Sequence, residues 1–74
     1  MNHTLKLLDV VALERDVPEK GLTRGQIGTV VEELNGNAVE VEFSDDSGGP
    51  YAFAALSQSD LLKLVYKPAP SVGA

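Results

Sequence analysis

Asn35-Gly36 stands between two apolar-rich runs, GQIGTVVEEL and NAVEVEF. An Asn-Gly pair in that setting predicts a β-hairpin, because a two-residue type I′ turn needs positive φ at both central positions. In the second run Val39, Val41 and Phe43 alternate with Ala38, Glu40 and Glu42. A period of two sends the first set to one face of a sheet and the second set to the other. A hairpin of this kind, in a chain of 74 residues, constrains the fold to a small all-β barrel.

Pairing across a two-residue turn would place Leu34 opposite Asn37, Glu32 opposite Val39, Val30 opposite Val41 and Gly28 opposite Phe43. Directly opposed residues share a face. Val30 is then a core residue, and Gly28 leaves room for the Phe43 ring. Glu32 is in conflict, since an unpaired inward carboxylate costs several kcal/mol. Either a place at the open rim near the turn or a bulge that shifts the register relieves it. The same parity turns Ile27 outward, and a bulge at Gly28 would bring it back, so a rim Glu32 and a bulge at Gly28 are both expected.

The other elements follow from the same patterning. Leu7 to Leu13, LLDVVAL, reads as the first strand. Residues 1 to 5 are a short lead. Glu14 to Arg24, with Pro18 and Gly21, reads as a long loop that Val17 and Leu22 fold back onto the barrel. Gln26 to Leu34 and Asn37 to Phe43 are the second and third strands. Ser44 to Gly49, SDDSGG, reads as a turn held by Asx hydrogen bonds. Pro50 to Leu56 is the fourth strand, with either Ala52 and Ala54 or Tyr51 and Phe53 facing the core. Ser57 to Asp60 fits one turn of tight helix, and Leu61 to Val65 is the last strand. A single domain is expected over residues 1–66, with a flexible Pro- and small-residue-rich tail over 67–74.

A chain of this length buries only about 60% of the surface its unfolded form exposes. It has no cysteine, so neither a disulfide nor a thiolate metal site reinforces it. The net charge is −5. A polyanion repels the phosphate backbone and anionic lipid, so nucleic acid and membrane are disfavoured as partners, whereas basic surfaces are favoured at encounter. The N-terminal stretch lacks the pattern of a signal peptide and the apolar runs are too short to span a bilayer, so a cytoplasmic location is expected.

Catalysis needs a titrating group beside a nucleophile. The one histidine is His3, close to the N-terminus, and a terminal residue is its simplest reading. No Cys–His pair, Ser–His–Asp triad or typical zinc site can be assembled. Glu32, Glu33, Glu40 and Glu42 crowd one hairpin and read as a solvated acidic face. Asp45 and Asp46 lack the ligand alternation of a calcium loop, and Gly21, Gly25 and Gly28 fit no phosphate-binding spacing. Arg15, Lys20 and Arg24 are interleaved with Glu14, Asp16 and Glu19, so no basic patch forms. Tyr51, Phe53 and Tyr66 could supply an aromatic platform, with core or rim packing as the alternative. No enzyme activity, cofactor or metal is expected.

The order strand, long loop, strand, tight turn, strand, loop, strand, helical turn, short strand resembles that of an SH3-like barrel. RGQIGTVVEE resembles the Gly-centred strand of KOW-type domains. LLDVVALERDVPEKGLTRGQIGTVVE, the EVEF strand and YAFAALSQSDLLKL resemble, nearly end to end, a family of short bacterial proteins catalogued as "domain of unknown function 4926". That resemblance implies a fold and supplies no catalytic residue. It also implies a companion role beside another small gene product, as in a toxin–antitoxin pair.

The reading that results is a five-stranded SH3-like barrel, non-enzymatic, binding another protein with a basic surface, as a monomer or a homodimer. The candidate contact residues are Arg15, Val17 and Arg24 on the long loop, Thr29, Val31, Glu40 and Glu42 on the hairpin, and Tyr51 and Phe53 on the fourth strand. The alternatives are a KOW-like module associated with nucleic acid or the ribosome, and an accessory subunit of an enzyme complex.

Overall fold

The computed structural model describes residues 5–45 and 47–65. His3, Asp46, Tyr66 and the tail 67–74 lie outside them. The fold is all-β. Five strands, β1 (Val10–Leu13), β2 (Ile27–Glu33), β3 (Ala38–Ser44), β4 (Pro50–Ser57) and β5 (Leu61–Lys63), form one antiparallel sheet in the order β4-β3-β2-β1-β5. Hydrogen bonding does not close the sheet among the described residues, because β4 and β5 remain its two edges. No helix among these residues is long and apolar enough to cross a membrane.

The strand alternation builds the core. Val11 and Leu13, Val30, Val39, Val41 and Phe43, Ala54 and Leu56, and Leu61 all project from one face and join a single cluster. Among the described residues no second sheet or long helix covers that face; the strands' inner side chains are buried against one another and against Leu5, Val17 and Leu22 from the lead and the long loop. Phe43 is the largest fully buried residue. It lies opposite Gly28, as the hairpin arithmetic predicts. A Cβ at Gly28 would sit 2.6 Å from Val41 Cγ1 and 2.8 Å from the Glu42 carbonyl oxygen. On β4 the alanines face inward: Ala54 is buried and Ala52 packs on the core, while Tyr51 and Phe53 are exposed.

The hairpin departs from expectation in two places. Leu34 N–H donates to the Ala38 carbonyl at 3.0 Å, so Asn35, Gly36 and Asn37 make a three-residue loop. Only Gly36 has positive φ there, which excludes a type I′ turn. The second difference is the bulge. Gly28 pairs regularly with Val11 on one side and Phe43 on the other, and the register shifts instead between Val30 and Glu32. The extra residue at Val31 moves Glu32 opposite Glu40, on the outer face, and Glu33 opposite Val39. Glu32 and Glu33 are both exposed, so the inward-carboxylate conflict is resolved by shifting the register and using the rim. With no bulge at Gly28, Ile27 stays outside and is 52% exposed.

The long loop is ordered by its two apolar residues. Val17 and Leu22 pair as an isolated bridge and are both buried. Between them Pro18–Lys20 form a 3-10 turn that the sequence pattern did not reveal, with Pro18 in its first turn and left-handed Gly21 as its C-cap. The expected turn before the last strand is Gln58–Asp60, with Ser57 as N-cap accepting from Ser59 N–H. Leu5, at the end of the short lead, is buried, and its N–H donates to Gln58 Oε1 at 2.8 Å.

Candidate functional site

The solvent side of the sheet carries the features that the core does not explain. Register alone places its residues in cross-strand rows. Val10, Thr29, Glu42 and Phe53 are successive partners in one row. Leu62, Ala12 and Ile27 are partners in a second. Glu32, Glu40 and Ala55 are partners in a third. Ile27, Phe53 and Leu62 are each about half exposed, and Val31 is exposed at the bulge. The face therefore grades from carboxylates near the hairpin loop to apolar side chains over β1 and β5.

Thr29, Glu42 and Phe53, proposed from sequence as contacts, are brought into one row, and Glu40 and Val31 lie beside it. The loop residues separate from this group. Val17 is 2% exposed, so its side chain serves the core and cannot meet a partner. Arg15 Nε pairs with Asp60 Oδ2 at 3.0 Å, and its guanidinium also donates to the Asp16 carbonyl. Arg24 N–H donates to Asp16 Oδ1 at 2.8 Å. Arg24 borders an open depression that it shares with Ala12, Leu13, Glu14, Gly25 and Leu62. Tyr51 belongs partly to the domain itself: its ring lies 6.4 Å from that of Phe43, and its hydroxyl accepts from Gln26 Nε2 at 3.1 Å.

Sequence reasoning missed Ile27 and Leu62. The signal was present for both. Hairpin parity alone turns Ile27 outward, and alternation in LLK turns Leu62 away from buried Leu61. Leu7 and Leu8, also exposed, precede β1, although LLDVVAL predicts a strand from Leu7. They occupy a tight turn in which Asp9 N–H donates to the Lys6 carbonyl and Lys6 N–H to Asp9 Oδ2. Lys63 Nζ lies 3.6 Å from the same Asp9 oxygen.

Among the described residues no three His, Asp or Glu side chains gather as a metal-binding group. Asp45, Ser47 and Gly49 make the Asx turn expected. Asp45 Oδ1 accepts from Ser47 N–H, Ser47 Oγ and Gly49 N–H at 2.8–3.0 Å. These bonds, the Ser47 hydroxyl foremost, hold the exposed Asp45 carboxyl below its ordinary pKa.

The family described as "Domain of unknown function (DUF4926)" matches residues 7–63, and the chain belongs to it. Those bounds take in all five strands, from the turn before β1 to the end of β5. No curated protein and no solved structure matches the chain.

Proposed function

We propose that this chain is a non-enzymatic binding module that receives a protein with a basic surface on the outer face of its sheet. The observation that carries the reading is the composition of that face: exposed Phe53 shares a cross-strand row with Thr29 and Glu42, and exposed Ile27 and Leu62 and the carboxylate of Glu40 lie in rows of the same face. Apolar contacts of this kind supply affinity, and the carboxylates steer encounter and fix orientation. Burying three half-exposed side chains is worth a few kcal/mol before association costs, at about 25 cal/mol per Å² of apolar area. A paired role beside an adjacently encoded protein is the cellular setting this fits.

The test is charge reversal on the face. The partner is captured from the native host, purified, and titrated against the wild-type chain and Glu40→Lys/Glu42→Lys. The double variant is expected to bind at least about tenfold more weakly, with its amide NMR spectrum still that of the folded domain. Equal affinity would remove the acidic hairpin from the interface. Added salt should slow association of the wild type, since the steering charges of half-buried Glu40 and Glu42 reach solvent on the outer face.

A further inference from the structure

The two edges of the sheet are built differently. β5 is three residues long and ends in Lys63, a short, charged edge of the kind that resists pairing. β4 is eight residues long, and after Pro50 it reads YAFAALS, with no charge, no further proline and no register shift beyond Ser44/Pro50. Gln58 N–H donates to the Asn37 carbonyl at 2.7 Å in the continuing β3–β4 register. Bonding alternates along an antiparallel pair. Leu56, Ala54 and Ala52 therefore bond to β3, and the backbone groups of Tyr51, Phe53, Ala55 and Ser57 point away from it, where the described residues supply no strand.

We propose that this edge binds a second copy of the chain, β4 against β4 antiparallel about a two-fold axis at Ala54. Three features select a second copy. First, the register is self-complementary. With Ala54 opposite its own equivalent, Phe53 meets Ala55 of the other copy, Leu56 meets Ala52, and Tyr51 meets Ser57. Each bulky side chain faces a small one on the same side of the sheet. Second, that register sets outward-pointing backbone groups against one another along the whole of Tyr51–Ser57, as an isologous two-fold contact requires. Third, the edge is neutral in a chain of net charge −5. Across the new pairing the Glu40 and Glu42 rows of the two copies are three strand spacings apart, about 14 Å, beyond the Debye length of about 8 Å at physiological salt. The contact joins the outer faces of the two copies into one surface. It does not depend on a heterologous partner.

Sedimentation of the full chain across a concentration series is the first measurement. A reversible dimer is expected, strengthened as salt is raised from low ionic strength to the physiological range, where the repulsion between two acidic copies becomes screened; a chain that stays monomeric into the millimolar range overturns the proposal. Ala55→Pro removes an N–H that points out of the edge and leaves the β3 ladder intact. It is expected to weaken self-association at least tenfold; a variant that dimerises as well as the wild type places the contact elsewhere. Register is read from single cysteines in this cysteine-free chain. Ala54→Cys should crosslink between copies on mild oxidation, because the two-fold brings the paired Cα atoms to about 4.5 Å. Ala52→Cys should not, because its equivalents are about 13 Å apart along the strands. Crosslinking at 52 with none at 54 would contradict the stated axis.

Discussion

Single residues fix how tightly the sheet can close on its core. Gly28 has no room for even one methyl group, with side chain and backbone both in the way. Gly28→Ala should lower stability by about 1–3 kcal/mol, the usual cost of overpacking, read as a lower denaturation midpoint at unchanged m-value. Leu8 is the opposite case. It is the one non-glycine residue with positive φ among the described residues, and it is 75% exposed. Relief of left-handed strain, about 1–2 kcal/mol for an L-residue, outweighs the extra chain entropy of glycine, about 0.5–1 kcal/mol. Leu8→Gly is therefore expected to raise the thermal midpoint. Gly28 was legible in the sequence because pairing arithmetic sets it against Phe43. Leu8 was not, since nothing in a Lys-Leu-Leu-Asp run signals a left-handed leucine.

The hairpin shows what can be read of an element and what cannot. The alternation of β3 identified its inward residues, because a period of two in a half-buried strand leaves little choice. The bulge falls at Val31 and not at Gly28, where the sequence predicts it. A glycine is the usual sequence marker of a bulge, yet Gly28 is required for a close approach, and the shift falls between two β-branched residues and a glutamate pair. The bulge has an energetic consequence. Glu32 and Glu40 are direct cross-strand partners, and like charges so placed are destabilising. Glu32→Lys should stabilise the fold by about 0.2–1 kcal/mol, with the gain shrinking in high salt. The Asp45 turn gives a pH-dependent counterpart. Its carboxyl titrates below its ordinary value in the folded chain, so the turn's contribution is present above the unfolded pKa and is lost as pH falls through the lowered folded one. Ser47→Ala removes the largest cause and should move the Asp45 titration, followed by NMR, upward.

At the scale of the molecule, one curled sheet divides the chain into an inside and an outside. The inside rests on few side chains, so Phe43→Ala, at about 3–5 kcal/mol, approaches the whole stability of a domain this small, and circular dichroism should show a largely unfolded chain at 37 °C. The fold class was legible because the strands are short, apolar-rich and separated by turn residues, and β3 announces its inner face. The inner face of β4 was not legible, since YAFAAL alternates aromatics with alanines and either set could pack inward. The candidate surface was legible only in part: its carboxylates stand out in a sequence, whereas Ile27 and Leu62 are apolar, and parity turns them outward only where no bulge intervenes, which the observed register shows. The most direct test of the account is amide chemical-shift mapping of the captured partner onto the labelled chain. Perturbation is expected along Ile27, Thr29, Glu40, Glu42, Phe53 and Leu62. Perturbation confined to the long loop, with those six positions unmoved, would contradict it.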